Sequence, residues 1–131
     1  MSFADAVRTC LQKYVSFDGR ATRSEFWWFY LFYVLVTAVG YIPVIVVGVI
    51  AGSEQSGVLN ALWALFMIAW ALLLLALVLP MLAVGCRRLH DRGQSGWLQL
   101  LLLVPCGSIV LLVFWVMEGT PGDNAYGPRP A

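Results

Sequence analysis

The chain has 131 residues, of which 61% are hydrophobic and 11% are charged. Soluble domains average roughly 45–50% apolar and about 25% charged residues, so a water-soluble domain of this length could not bury so much apolar surface. The net charge of +1 lacks the basic excess typical of nucleic-acid binding, and we expect no nucleic-acid partner.

The chain opens with a short amphipathic segment, residues 2–16. Its apolar residues recur at helical spacing on one face: Phe3, Val7, Cys10, Leu11 and Tyr14. One interpretation is a helix packed on its own domain. The other is an interfacial helix lying on an anionic membrane surface.

Three uncharged runs follow, over residues 26–50, 58–85 and 97–117. Each is long enough to cross the roughly 30 Å hydrocarbon core of a bilayer as a helix. Residues 118–131 form a turn-rich tail. The predicted fold class is therefore an all-α membrane protein, a single membrane domain over 1–131 with three transmembrane helices preceded by the short interfacial helix.

Basic residues predict the orientation. Three crossings would place seven of the eight Lys and Arg residues on one side: Arg8, Lys13, Arg20, Arg23, Arg87, Arg88 and Arg92. Because positive charge is retained in the cytoplasm, we expect a multi-pass protein with a cytoplasmic N-terminus, and Arg129 in a translocated tail.

The stretch FDGRATRSEFWW, residues 17–28, places four charges directly before the first apolar run. Thr22 and Glu25 have capping-box spacing, in which each side chain bonds the backbone amide of the other residue. Arg20 and Arg23 are expected to hold lipid phosphates, with the two tryptophans at headgroup depth. These roles explain most of the stretch without catalysis.

A second polar stretch, CRRLHDRGQSGW, separates the second and third runs. Gly93 suits a left-handed helix end and Ser95 a helix N-cap. Both polar stretches should share one membrane face, as a structural charge network or as a site for a ligand or lipid headgroup. In such a network we expect Glu25 to lie near the arginines of the second stretch. The candidate residues of that joint site are Arg20, Arg23, Glu25, Arg87, Arg88, His90, Asp91 and Arg92.

The sequence has few residues suited to catalysis or to metal binding. The only histidine is His90, and the three cysteines, Cys10, Cys86 and Cys106, show no CxxC spacing. We interpret the cysteines as buried or membrane-facing thiols and expect neither a metal site nor a cofactor. An acid/base role for His90 beside Asp91 is the one catalytic hypothesis that the residues leave open.

Three motifs in order carry a family resemblance: F-x-GRA-x-RSEFWW, RRLHD-x-G-x-SGW and GTPG-x-N-x-YGP-x-P. Together they resemble the domain of unknown function 805 family, small YhaH-like bacterial inner-membrane proteins, from about Tyr14 to Pro130. The resemblance implies a polytopic helical protein of the bacterial inner membrane. It implies no reaction, because the family has no established activity.

The third run contains Pro105-Cys106-Gly107-Ser108 at its centre. A kinked helix could cross once there, or a re-entrant hairpin could turn back and bring all three motifs to one face. We expect the single crossing, because the arms of a hairpin would need burial within protein and three helices offer little. The tail, with few basic residues, also suits translocation.

Function is predicted only in outline. The first hypothesis is a non-enzymatic interaction or scaffold subunit with a cytoplasmic-face basic cluster, whose partners are membrane lipids and either a second copy of the chain or another membrane protein. The alternatives are an oligomeric small-solute channel or transporter, and a membrane-embedded enzyme using His90 and Asp91.

Overall fold

The computed structural model describes residues 2–54 and 57–130. Helices dominate these ranges: α1 Phe3–Gln12, α2 Arg23–Glu54, α3 Gly57–Asp91, a 3₁₀ helix Gly96–Leu103 and α4 Gly107–Val116. Among the described residues there is no β-strand beyond an isolated bridge between Asn124 and Gly127. The predicted all-helical class is confirmed.

Helix α1 packs on its own domain. Ala6 and Cys10 are fully buried, and the ring of Phe3 meets Trp28 edge-on with 5.8 Å between centroids. The helix ends at Gln12, several residues before the predicted end. Its remaining apolar face is partly exposed, so contact with a membrane surface stays a prediction.

Helices α2 and α3 account for the first two predicted crossings. The spans Arg23–Ile50 and Gly57–Asp91 are long and apolar enough to cross a membrane. Both extend beyond the predicted ranges, and α3 continues through the first half of the second polar stretch. Arg87 and Arg88 therefore lie on the last turns of α3, where cations stabilise the exposed carbonyl end, while Arg92 lies in the turn that follows.

The expected third transmembrane helix is not confirmed. Residues 97–117 instead form the 3₁₀ helix and α4, separated by a turn in which Cys106 has a φ of 64°. Pro105 has no amide to continue a helix. A Cβ on Gly107 would lie 1.8 Å from the carbonyl oxygen of Leu101, so only glycine lets α4 return so close to the 3₁₀ helix.

The returning arm of the hairpin finds part of the burial that we expected to be missing, because Gly107, Leu111 and Trp115 of α4 are buried, whereas no residue of the 3₁₀ helix is. Gln99 Nε2 donates to the Leu82 carbonyl at 3.0 Å, and Trp115 Nε1 donates to the Gly85 carbonyl at 3.3 Å. The indole of Trp115 also packs on Phe26, with 4.8 Å between ring centroids. The end of α3 and the start of α2 thus supply the protein surface that a re-entrant segment requires.

The chain forms two compact units. The first, which we call the charged unit, comprises Met1–Leu31 and Leu79–Ala131; the second, the apolar unit, comprises Phe32–Val78. All eight Lys and Arg residues of the sequence and its single histidine fall within the charged unit. The chemistry that the sequence offers is therefore concentrated there.

Aromatic contacts hold the apolar unit together. Gly40 lies against Trp70, since a Cβ there would come within 1.9 Å of the indole nitrogen. Trp63 Nε1 donates to the Val44 carbonyl at 3.0 Å. A groove of about 620 Å³ beside these contacts has ten described lining residues, none of them charged.

Candidate functional site

Arg20 connects the stretch before α2 to the end of α3 and to the tail. Its side chain is 1% exposed and donates to Asp91 Oδ1 at 2.8 Å. The same guanidinium donates to the carbonyls of Thr120 and Gly122, each at 2.7 Å. Because a guanidinium carries five donors in fixed planar geometry, one side chain holds three chain segments in a set arrangement.

Asp91 completes this arrangement by accepting from two arginines. One carboxylate oxygen pairs with Arg20 and the other with Arg88. Arg88 in turn donates to the carbonyls of Trp115, at 3.1 Å, and Met117. Those carbonyls belong to the last turn of α4 and its cap, so Arg88 fixes the returning arm of the hairpin to α3.

A second buried ion pair joins the start of α2 to α3. Arg87 donates to Glu25 Oε1, and both side chains are almost fully buried. Cys10 Sγ lies 3.8 Å from the same oxygen, and burial, with the charge of Glu25 adding to it, raises the pKa of this thiol to about 12. The predicted contact between Glu25 and the arginines of the second stretch is confirmed.

The predicted capping box forms in one direction only. Thr22 Oγ1 accepts from the Glu25 amide at 3.1 Å, as expected. The Glu25 carboxylate is engaged by Arg87 instead. Charge neutralisation of a buried carboxylate outweighs a capping bond, since an unpaired buried charge costs far more than a frayed helix end.

The tail closes over the end of α3. Thr120 N donates to the Asp91 carbonyl at 2.7 Å, and Asn124 Nδ2 donates to the His90 carbonyl at 2.9 Å. A Cβ on Gly119 would lie 1.9 Å from Asp91 Oδ2, so the backbone approaches the ion pair directly. These contacts place the tail beside the two polar stretches, which corrects the expectation that it lies across the membrane from them.

His90 has partners other than its neighbour Asp91. Its Nδ1 lies 2.9 Å from the Gly19 carbonyl oxygen, and its ring stacks on Tyr126 with 4.0 Å between centroids and 2° between planes. Its Nε2 lies 3.6 Å from Cys86 Sγ. Asp91 is occupied by arginines, so the hypothesis of a His90–Asp91 acid/base pair has no support in this geometry.

A cavity of about 710 Å³ opens beside His90. Its polar lining consists of Asp18, Cys86, His90, Ser95, Gln99 and Tyr126. Cys86 and Tyr126 contact the imidazole, whereas Gln99 bonds the carbonyl of Leu82. Its apolar lining comes mainly from the 3₁₀ helix, through Trp97, Leu100, Leu102 and Leu103, together with Phe17 and Leu82. A concave site with an apolar wall and a few convergent polar groups is the usual form of a small-molecule site.

The eight predicted site residues therefore divide into two groups. Six are buried together in the charged unit: Arg20, Glu25, Arg87, Arg88, His90 and Asp91. The other two are more accessible; Arg23 donates to the Val116 carbonyl at 3.5 Å and Arg92 to the Glu118 carbonyl at 2.8 Å. Arg20 is enclosed by protein, which differs from the expected contact with lipid phosphates.

Sequence analysis did not assign Cys86, Asn124 or the stacked Tyr126 to this site. The signal for Cys86 was its spacing of four from His90, which places both on one helix face. Within the described residues no group of three His, Cys, Asp or Glu side chains is placed to hold a metal ion.

Comparison with known proteins identifies the family of this chain. A family model described as "Protein of unknown function (DUF805)" matches residues 14–128. The chain belongs to the DUF805 family. The matched range includes the two polar stretches, the hairpin and nearly all of the tail, so every element of the site lies within the DUF805 region.

Two relatives from Escherichia coli (strain K12) support the assignment to DUF805. "Inner membrane protein YhaI" is 45% identical over 121 residues, covering 92% of this chain and 90% of the relative. "Inner membrane protein YhaH" is 38% identical over 122 residues, covering 92% of this chain and 91% of the relative. No solved structure matches the chain.

Proposed function

We propose that this DUF805 protein is a non-enzymatic interaction subunit of the bacterial inner membrane that holds an amphipathic lipid in the cavity beside His90. The observation that carries the proposal is the mixed lining of that cavity, in which Cys86, His90 and Tyr126 supply contacting polar side chains and the 3₁₀ helix supplies most of the apolar ones. A lipid with a hydrogen-bonding headgroup and a hydrocarbon chain matches both kinds of lining.

The buried arginines have a structural role in this proposal. Arg20, Arg87 and Arg88 each donate to a carboxylate of the chain itself and are almost fully buried. Charges satisfied in this way hold the polar stretches, the hairpin and the tail together. Because these arginines are occupied within the chain, the cavity replaces the basic cluster as the proposed contact region.

We further propose that α2 and α3 each cross the membrane once and that both chain ends are cytoplasmic. The support is the distribution of basic residues, all eight of which belong to the charged unit, together with the contacts of the tail with Arg20 and Asp91. Positive charge of this kind is retained on the cytoplasmic face.

The alternative functions have less support. A solute pathway needs polar or charged groups within the membrane, and the groove of the apolar unit has no charged residue among its described lining. An enzyme using His90 with Asp91 would need the carboxylate to contact the imidazole, whereas the carboxylate is held by Arg20 and Arg88.

Lipid retention tests the proposal. The full chain is extracted with its native lipid in polymer nanodiscs, and native mass spectrometry measures the retained phospholipid. We expect Leu100→Trp, which fills the apolar side of the cavity, to lower retention about tenfold, corresponding to about 1.4 kcal/mol of binding free energy. The matched control Leu112→Trp, exposed on α4 and outside the cavity lining, should retain lipid normally. Equal retention by both variants would refute the cavity as the binding site.

A further inference from the structure

Cys86 and His90 form a nucleophile–base pair that the charge network does not use. They lie four residues apart on α3, so both side chains emerge on one helix face. Cys86 Sγ and His90 Nε2 are 3.6 Å apart, the reach of a hydrogen bond to sulfur. Cys86 Sγ also lies 3.6 Å from the Phe17 carbonyl oxygen, which can accept a hydrogen bond from the thiol when the imidazole does not.

The tautomer of His90 is set by its other nitrogen. The Gly19 carbonyl 2.9 Å from Nδ1 can only accept, so Nδ1 carries the proton and the lone pair of Nε2 faces the thiol. Tyr126 stacks parallel to the ring and limits its rotation. The histidine is thereby oriented as a base toward sulfur, by a third group, as in cysteine nucleophiles of unrelated folds.

The thiol of Cys86 is part of the cavity lining, and Gly96 leaves room for it. A Cβ on Gly96 would come within 2.1 Å of Cys86 Sγ, so any other residue there would displace the sulfur. The same cavity is lined by the apolar side chains of Leu82, Leu100 and Leu103. A group bonded to the sulfur would therefore have an apolar surface on which to lay a hydrocarbon chain.

The surroundings of Cys86 distinguish between two kinds of thiol chemistry, redox exchange and acyl transfer. A redox site needs a second sulfur to form a disulfide, and Cys86 is the only cysteine among the described residues that line the cavity. An acyl group needs a nucleophile, a base and an apolar space for its chain, and each of these is present. The geometry favours acyl transfer.

We infer that Cys86 accepts a long-chain acyl group from an acyl thioester and holds it as an S-acyl cysteine, with the chain in the cavity. The inference rests on the proposed lipid-binding function and gives it a covalent form. The modification is stoichiometric, one acyl group on each chain, and does not require turnover.

The step is a balanced exchange of thioesters. The proton of the Cys86 thiol passes to His90 Nε2 as Sγ bonds to the carbonyl carbon of the donor. The carbon–sulfur bond of the donor then breaks, and its leaving sulfur takes the proton from His90. The products are S-acyl Cys86 and a free thiol, with no oxidant or metal consumed.

Acylation of the full chain in detergent tests the inference. The protein is mixed with a hexadecanoyl thioester of N-acetylcysteamine, and intact-mass spectrometry follows the adduct while peptide mapping locates it. We expect a single acyl group at Cys86, released by neutral hydroxylamine and absent from Cys86→Ser. His90→Gln should slow acylation by at least about a hundredfold, the lower end of the effect of a general base. Cys106→Ser, which removes an exposed thiol outside the cavity, should acylate like the wild type.

Thermal unfolding of each variant separates a chemical effect from a folding defect. A folded His90→Gln variant that acylates at the wild-type rate would overturn the inference, as would acylation that favours the exposed Cys106. If no adduct forms while native lipid is still retained in a Leu100-dependent manner, the covalent step is refuted and the lipid-binding function stands. If neither adduct nor retained lipid is found, both fail.

Discussion

Glu25 illustrates how a buried charge in this chain is tolerated only because it is paired. Its carboxylate is almost fully buried and meets Arg87, which is buried as well. Removing water from two charges costs several kcal/mol each, and their attraction repays that cost only when both partners stay in place. Loss of one partner should therefore harm the protein more than loss of both.

We expect Glu25→Gln to destabilise the protein by about 3–5 kcal/mol, because it leaves the Arg87 charge buried without its counter-charge. The double variant Glu25→Gln with Arg87→Met should recover most of that loss. Thermal unfolding in detergent measures both, and Glu118→Gln, at an exposed carboxylate, is the matched control. A single variant as stable as this control would show that the pair does not hold the fold.

Cys10, which lies beside Glu25, should make the free energy of unfolding depend on pH. Burial raises the pKa of its thiol from 9.0 to about 12. The unfolded chain loses this proton at lower pH than the folded chain does. The stability due to the protonated thiol is therefore complete below pH 9 and is lost as the pH rises toward about 12.

The free energy of unfolding should consequently fall more steeply with pH above 9 in the wild type than in Cys10→Ala. Denaturant titrations of both proteins over this range supply the comparison, and the difference between them removes the contribution of the other titrating groups. Parallel pH profiles would mean that the thiol ionises equally in the folded and unfolded chains.

The element that the sequence analysis misjudged is the hairpin of the 3₁₀ helix and α4. Pro105 ends the first arm, and Gly107 lets the second arm return against it. Arg88 then bonds the carbonyls at the end of α4, and Trp115 bonds the carbonyl of Gly85. Each arm is too short to cross a membrane, so these contacts to α3 make the hairpin possible.

Gly107→Ala tests the hairpin at its closest approach. The added Cβ would meet the Leu101 carbonyl at 1.8 Å, and forced overpacking costs about 1–3 kcal/mol or more. We expect a lower unfolding temperature and faster proteolysis of the tail. The matched control is Gly52→Ala, where nothing lies within 4 Å and the helix should gain up to about 1 kcal/mol. If both variants unfold alike, the close approach does not exist.

At the scale of the whole molecule, the distribution of Lys and Arg between the two units supports the proposed topology. The apolar unit has no Lys or Arg, while the charged unit has all eight. Through Arg20 and Asp91 the tail is bonded to the stretch before α2 and to the end of α3. These contacts support the proposed topology, in which α2 and α3 each cross once and both chain ends lie on one side.

Reporters at both termini test that topology. A fluorescent protein that folds only in the cytoplasm should be active when fused before Met1 and also when fused after Ala131, because an even number of crossings puts both ends on one side. A phosphatase active only outside the cytoplasm should be silent at both positions. Phosphatase activity at the C-terminus alone would restore the single crossing of residues 97–117.

The sequence by itself determined the membrane class, the two helices long and apolar enough to cross a membrane, and the family. Hydrophobic run length reports directly on the solvent that a segment requires, and charges beside such runs mark their ends. The contact of Glu25 with Arg87 followed from that, because two polar stretches at one membrane face have few other partners.

Only the tertiary structure decided the path of the last third of the chain and the partners of His90. Whether residues 97–117 cross or return depends on the burial that α2 and α3 offer, which is a property of packing and not of hydropathy. Likewise, Asp91 could have oriented the imidazole or neutralised arginines. It pairs with Arg20 and Arg88, because two buried cations demand a counter-charge more strongly than a neutral ring does.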